Sequence, residues 1–171
     1  GDSDVLFQKP ENLLKFPGFV NWFGNSKTVD NNGVPIIYFH GTPHTFDIFN
    51  PMSFFSPDPG FAEEYTRSMI SKKYHAGASI IPVILKAENP FDYENPDHLK
   101  MLGVSFEPGQ ATWTALEEMI PRIKELGFDG MYVSEYKIDT RREDIEAGIP
   151  PTKNLVVFEP NQIRSIYKED F

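Results

Sequence analysis

YFHGTP places His40 and Gly41 where a β-rich run, VPIIYF (34–39), ends. A histidine there serves either as a structural hydrogen-bonding group or as a ligand contact. Gly41 lacks a Cβ and lets a ligand approach the main chain. FFSPDPGFAEEY then sets Phe54 and Tyr65 eleven residues apart, across a strand, a turn and a helix. Neighbours on a strand point to opposite faces, so if Phe54 lines a cleft, Phe55 belongs to the core. Tyr65 reads equally as core or as a clamp, and Ser56 either bonds a ligand or shapes its turn. The absence of cysteine excludes disulfides, thiol nucleophiles and thiolate metal sites together. His44, His75 and His98 lack the spacing of a metal site. The pairs Asp92/Glu94 and Asp97/His98 sit in a Pro-rich stretch and read as surface.

The elements that must position these residues are legible in outline. Residues 11–24 predict a short helix and a turn, interrupted at Pro17-Gly18. Val29-Asp30-Asn31-Asn32-Gly33 signals a tight turn before the first strand. A second short strand is expected over Met52–Ser56, followed through Pro57-Asp58-Pro59-Gly60 by a helix from Phe61 to about Met69. ASIIPVILKAENP (78–90) predicts a long buried strand closed by Pro90, with a loop over 91–98. Apolar spacing predicts one helix over Thr112–Leu126, stopped by Gly127. Strands follow at 128–133 and 154–160, separated by a polar loop with room for one helical turn. Phe158, Gln162 and Ile163 read as fold-defining, with Gln162 bonding backbone. Helices and strands intermix without βαβ regularity, so the expected class is α+β, with a mixed, mostly antiparallel sheet core and flanking helices.

Composition narrows the function classes. The 171 residues are 40% apolar and 24% charged, with 15 Phe, 7 Tyr and 2 Trp, which suits one globular domain over 1–171. No run approaches a membrane-spanning length, so no membrane role is expected. GDSDVLFQKPE lacks a basic region followed by an apolar run, so no signal peptide is expected. A formal charge of −9 disfavours a broad nucleic-acid surface.

Taken in order, YFHGTP, FFSPDPGFAEEY, IIPVILKAENPF and NLVVFEPNQIRS resemble an ADP-ribosyltransferase of the branch found in polyvalent proteins. The resemblance covers about residues 19–167. That branch is similar to the diphtheria-toxin and poly-ADP-ribose polymerase type, whose signature is a histidine, an aromatic (normally tyrosine) and a glutamate. It implies an ADP-ribosyltransferase-like fold with NAD as co-substrate and no metal. His40 matches the histidine that binds a ribose hydroxyl. Gly41, with Thr42 beside it, matches the backbone that holds the nicotinamide amide. Phe54 matches the tyrosine position and Tyr65 a second aromatic, so the two rings would sandwich the cationic nicotinamide. Ser56 joins this cofactor-binding set.

Asn154 departs from the signature, standing where the glutamate lies. An amide keeps a hydrogen bond but carries no charge, at a cost of a few kcal/mol of transition-state stabilisation. Glu135 is the first candidate for a substitute carboxylate and Glu159 the second. Arg67, Lys72 and Lys73 either meet the NAD diphosphate or form a solvated helix face. The loop 136–153, with Arg141-Arg142 and Glu143-Asp144-Glu146, offers either a polar acceptor contact or a solvated surface. The function this implies is mono-ADP-ribosyl transfer to a macromolecule, a protein before a nucleic acid. The setting would be a bacterial or phage effector, acting in the cytoplasm or secreted into a host cell. The competing readings are a catalytically weak NAD-binding or interaction module and an NAD glycohydrolase.

Overall fold

The protein is described from a computed structural model over residues 9–42, 54–63, 79–107 and 109–166. These residues carry two sheets. The first is antiparallel, with strand order β1 (Tyr38–Thr42), β3 (Ser79–Leu85), β7 (Ile163–Ser165). The second runs β2 (Phe54–Phe55), β6 (Thr152–Val157), β5 (Gly130–Glu135), β4 (Pro90–Phe91), with β4 parallel to β5 and the other pairs antiparallel. The mixed, mostly antiparallel α+β class is therefore found as expected.

Among the described residues, one bridge joins the sheets along the backbone. Phe39 N–H donates to Ser56 O at 2.7 Å and Ser56 N–H to Phe39 O at 3.0 Å. Antiparallel register then sets His40 opposite Phe55 and Gly41 opposite Phe54. On one face, Tyr38, Val83 and Leu85 from the first sheet pack with Phe55, Leu155 and Val157 from the second. The opposite face is covered in two parts. Phe19 and Phe23 of the helix Pro17–Phe23, with Leu13, pack on Ile84 and Ile166. Leu116, Ile120 and Ile123 cover Met131, Val133 and Val156.

Several elements differ from expectation for visible reasons. Pro17 opens the helix Pro17–Phe23 at its first turn, where its missing N–H costs nothing, and does not break one. The strand predicted over 34–39 lies four residues later, because Gly41 and Thr42 pair with Ile80 and Ser79 while Pro35 makes only a bridge to Val29. His40 thus lies within a strand, not past its end. The strand foreseen over 52–56 is seen at Phe54–Phe55 plus the Ser56 bridge; residues 51–53 lie outside the described residues, as does the predicted helix beyond residue 63. Within the stretch expected as a loop, 91–98, the helix Pro96–Leu102 begins, capped by the Asn95 side chain accepting Asp97 N–H. The single helix foreseen over 112–126 is two, Trp113–Glu117 and Ile120–Glu125, because Pro121 has no N–H to continue the first. The polar loop holds the helical turn Arg142–Glu146.

Gln162 ties strand ends together, as its type and position suggested. Its Oε1 accepts Phe158 N–H (3.1 Å) and Glu159 N–H (2.8 Å) just beyond β6. Its Nε2 donates to Lys86 O (2.8 Å) beyond β3 and to Asp129 O (2.9 Å) before β5.

Candidate active site

The β1–β2 junction positions the first group of candidates. His40 is 6% exposed and its ring packs on Phe55 at 5.0 Å between centroids. Its Nδ1 lies 3.3 Å from Phe54 O. A carbonyl only accepts, so this contact calls for Nδ1–H and places the neutral ring's lone pair on Nε2. Gly41, buried within β1, shares its face with Phe54 across the junction. Thr42 ends β1, in register with Ser79. Ser56 is buried, and its Oγ accepts Asp58 N–H at 3.1 Å, so it shapes the turn. That turn is further held by Asp58, which accepts Gly60 N–H (2.8 Å) and pairs with Lys137 Nζ (3.0 Å). Tyr65, Arg67, Lys72 and Lys73 lie outside the described residues.

The second group sits on the four-stranded sheet. Phe54 pairs with Val156, Asn154 with Val133, and Glu135 with Thr152. Paired residues share a face and alternate along each strand, so Phe54, Asn154 and Glu135 lie on one face. His40, by the same alternation, points to the other face and touches this group through its contact with the Phe54 carbonyl.

Asn154 is 2% exposed, and its Oδ1 has no hydrogen-bond partner among the described residues. An orphaned buried acceptor is costly and calls for a reason. Glu135 is half-buried, and that burial pushes its carboxyl above the usual carboxylate range, partly offset by the hydrogen bond it accepts from Trp113 N–H. The Trp113 ring meets Phe54 at 4.7 Å between centroids and 70°, an edge-to-face pair. Trp113 was legible only as one more residue on a helical apolar stripe. Its contact with Phe54 spans 59 positions, and no local signal announces it.

Other candidates fall elsewhere. Glu159 is exposed beyond the far end of β6 and is engaged in a reciprocal cap with Gln162. Lys153, beside Asn154 but on the opposite face, is held by Asp92 (3.0 Å) and Glu94 (3.4 Å) and lies over the Tyr132 ring. Arg141 and Arg142 pair within their own loop, with Asp144 and Glu146. Tyr136 donates its hydroxyl to Ile149 O at 2.8 Å, closing the base of that loop. Among the described residues, no three His, Asp or Glu side chains form a group that could hold a metal, and no helix is long and apolar enough to cross a membrane.

Comparison with curated proteins and with solved structures gives no match. Residues 30–171 match the family model described as ADP-ribosyltransferase in polyvalent proteins. The match starts in the turn before β1 and runs past β7. It therefore takes in every strand of both sheets among the described residues, together with His40, Gly41, Phe54, Trp113, Glu135 and Asn154. The chain belongs to the ADP-ribosyltransferases of polyvalent proteins, NAD-dependent enzymes that pass ADP-ribose to an acceptor.

Proposed function

We propose that this chain is a mono-ADP-ribosyltransferase that cleaves NAD at the nicotinamide–ribose bond and modifies a protein acceptor, as a bacterial or phage effector. The observation that carries this is the unpartnered Asn154 Oδ1, buried on the face that also bears Phe54 and Glu135. An acceptor kept without a partner at a desolvation cost suits a site completed by a ligand hydroxyl. The bare backbone at Gly41 suits a planar carboxamide, and the Phe54 ring suits the face of a cationic heterocycle.

NAD supplies a leaving group that is already cationic. When the C1′–N bond breaks, its electron pair returns to the pyridine nitrogen and nicotinamide departs neutral. A lone pair of the acceptor forms the new bond to C1′, and the acceptor's proton passes to a base. Asn154 Oδ1 accepts from the ribose hydroxyl and orients the sugar. Glu135, on the same face, supplies the carboxylate that Asn154 lacks and, when ionised, the base that takes the acceptor's proton. His40, on the opposite face, acts through the backbone: its ring contact with the Phe54 carbonyl fixes the strand that carries Phe54.

The test is nicotinamide release from NAD, with and without cell lysate, beside the His40→Ala and Asn154→Ala variants. Release that needs lysate and is lost in both variants supports transfer to a macromolecule. Release without lysate and without labelled protein would make the chain a glycohydrolase. Binding of NAD with no release under any condition would make it a binding module and overturn the proposal.

A further inference from the structure

Trp113 is held at two points. Its backbone N–H is donated to the Glu135 carboxylate at the end of β5, and its ring stands against Phe54 on β2. Glu135 is in register with Thr152, and Phe54 with Val156, on the strand β6 that runs between them. The two residues are thus separated by two strand spacings, about 10 Å, and by four residues along β6, about 13 Å. The midpoint of that diagonal, on the same face, is Asn154. The two contacts of Trp113 therefore flank the part of this face at whose centre Asn154 lies, 2% exposed.

We infer that Trp113 is a substrate-positioning residue: its indole forms, with Phe54, the aromatic corner that holds the nicotinamide ring of NAD on the face that bears Asn154. The inference rests on the NAD-cleaving reading of this face. Two rings at 70° make a corner, in which a planar cation stacks on one ring and meets the other edge-on. Trp113 is only partly buried, so its ring reaches the surface where a ligand would arrive. Because its N–H is bonded to Glu135, one residue links the aromatic corner to the carboxylate.

The chain has two tryptophans, and the other stands apart. Trp22 donates its indole N–H to Asn161 O at 2.8 Å and lies under the Arg164 guanidinium. A Trp22→Phe protein therefore reports from Trp113 alone. We expect NAD to quench its emission with the midpoint that calorimetry gives for binding. Trp113→Ala should weaken NAD binding about tenfold, the loss of one stacking and cation–π contact, and Trp113→Phe should restore most of it. Calorimetric binding with unchanged Trp113 emission would overturn the inference and leave the NAD reading standing. So would an alanine variant that binds as tightly as the parent. No calorimetric binding by the parent protein would overturn the NAD reading itself, and this inference with it. If the alanine variant does not fold, the emission titration still decides, because it leaves Trp113 intact.

Discussion

Replacing Gln162 with methionine keeps the length of the side chain and removes all its hydrogen bonds. Four are lost: those to Phe158 N–H and Glu159 N–H, and those to the Lys86 and Asp129 carbonyls. Each contributes about 1 kcal/mol net. At 7% exposure, water cannot replace the lost partners in place. The expected loss is therefore about 4 kcal/mol, a large share of the roughly 5–15 kcal/mol that holds a domain folded. For a chain of this size it corresponds to a fall in Tm of about 8–16 °C. Differential scanning calorimetry at neutral pH measures it. A second variant separates the two halves of the amide. Gln162→Glu keeps an acceptor for the two N–H groups but turns an oxygen toward the two carbonyls. Its stability should recover as pH falls and the carboxyl gains a proton to donate. A methionine variant melting within about 3 °C of the parent would refute the reasoning, since four buried partners cannot be lost at so small a cost.

Three further outcomes are expected. A Cβ at Gly130 would lie 2.6 Å from the Val156 carbonyl oxygen, backbone against backbone, so Gly130→Ala should lower stability by about 2 kcal/mol or more in urea melts, and an unchanged midpoint would contradict it. Glu135 has a folded pKa raised above its unfolded value, so the native state binds the proton more tightly. Stability should fall as pH rises from the ordinary carboxylate value through the raised one, a slope that Glu135→Gln removes. Parallel urea melts between pH 4 and 7 check this, and identical slopes would refute it. Asn154→Leu removes an orphaned acceptor from among Val133, Val156 and Phe54, so it should raise stability by about 1–2 kcal/mol while abolishing nicotinamide release. A lower melting temperature would show that the amide is satisfied in the folded protein.

What could be read from the sequence was what short stretches decide for themselves. The apolar spacing of Leu116, Ile120 and Ile123 gave a helical face, and the core indeed lies there. Pro121 was visible within that stretch, and its missing N–H divides the helix at a point periodicity alone passes over. β7 escaped notice because three residues carry no alternation to detect, and its strand character comes from pairing with Val83–Leu85, some eighty positions away. The site shows the same division. Gly41 and Phe54 could be singled out by type and order. That His40 faces Phe55 and away from Asn154, and that Trp113 spans Glu135 and Phe54, follow from register between strands distant in sequence. Side-chain types do not encode that register.

The two sheets are stitched at unequal ends. At one end Gln162 binds three strand termini at once, whereas at the other, among the described residues, a single rung, Phe39 with Ser56, joins main chain to main chain. The six paired positions of β5 and β6 must part together, whereas opening that rung breaks two backbone hydrogen bonds and the packing of His40 and Tyr38 with Phe55. The fold therefore works as a book bound tightly at the foot of its spine and loosely at the head. Gly41 is on one leaf, and Phe54 and Asn154 are on the other. Small openings of the spine widen the gap between them without disturbing either leaf, and the Phe39 and Ser56 amides should exchange with deuterated solvent well before those of β5.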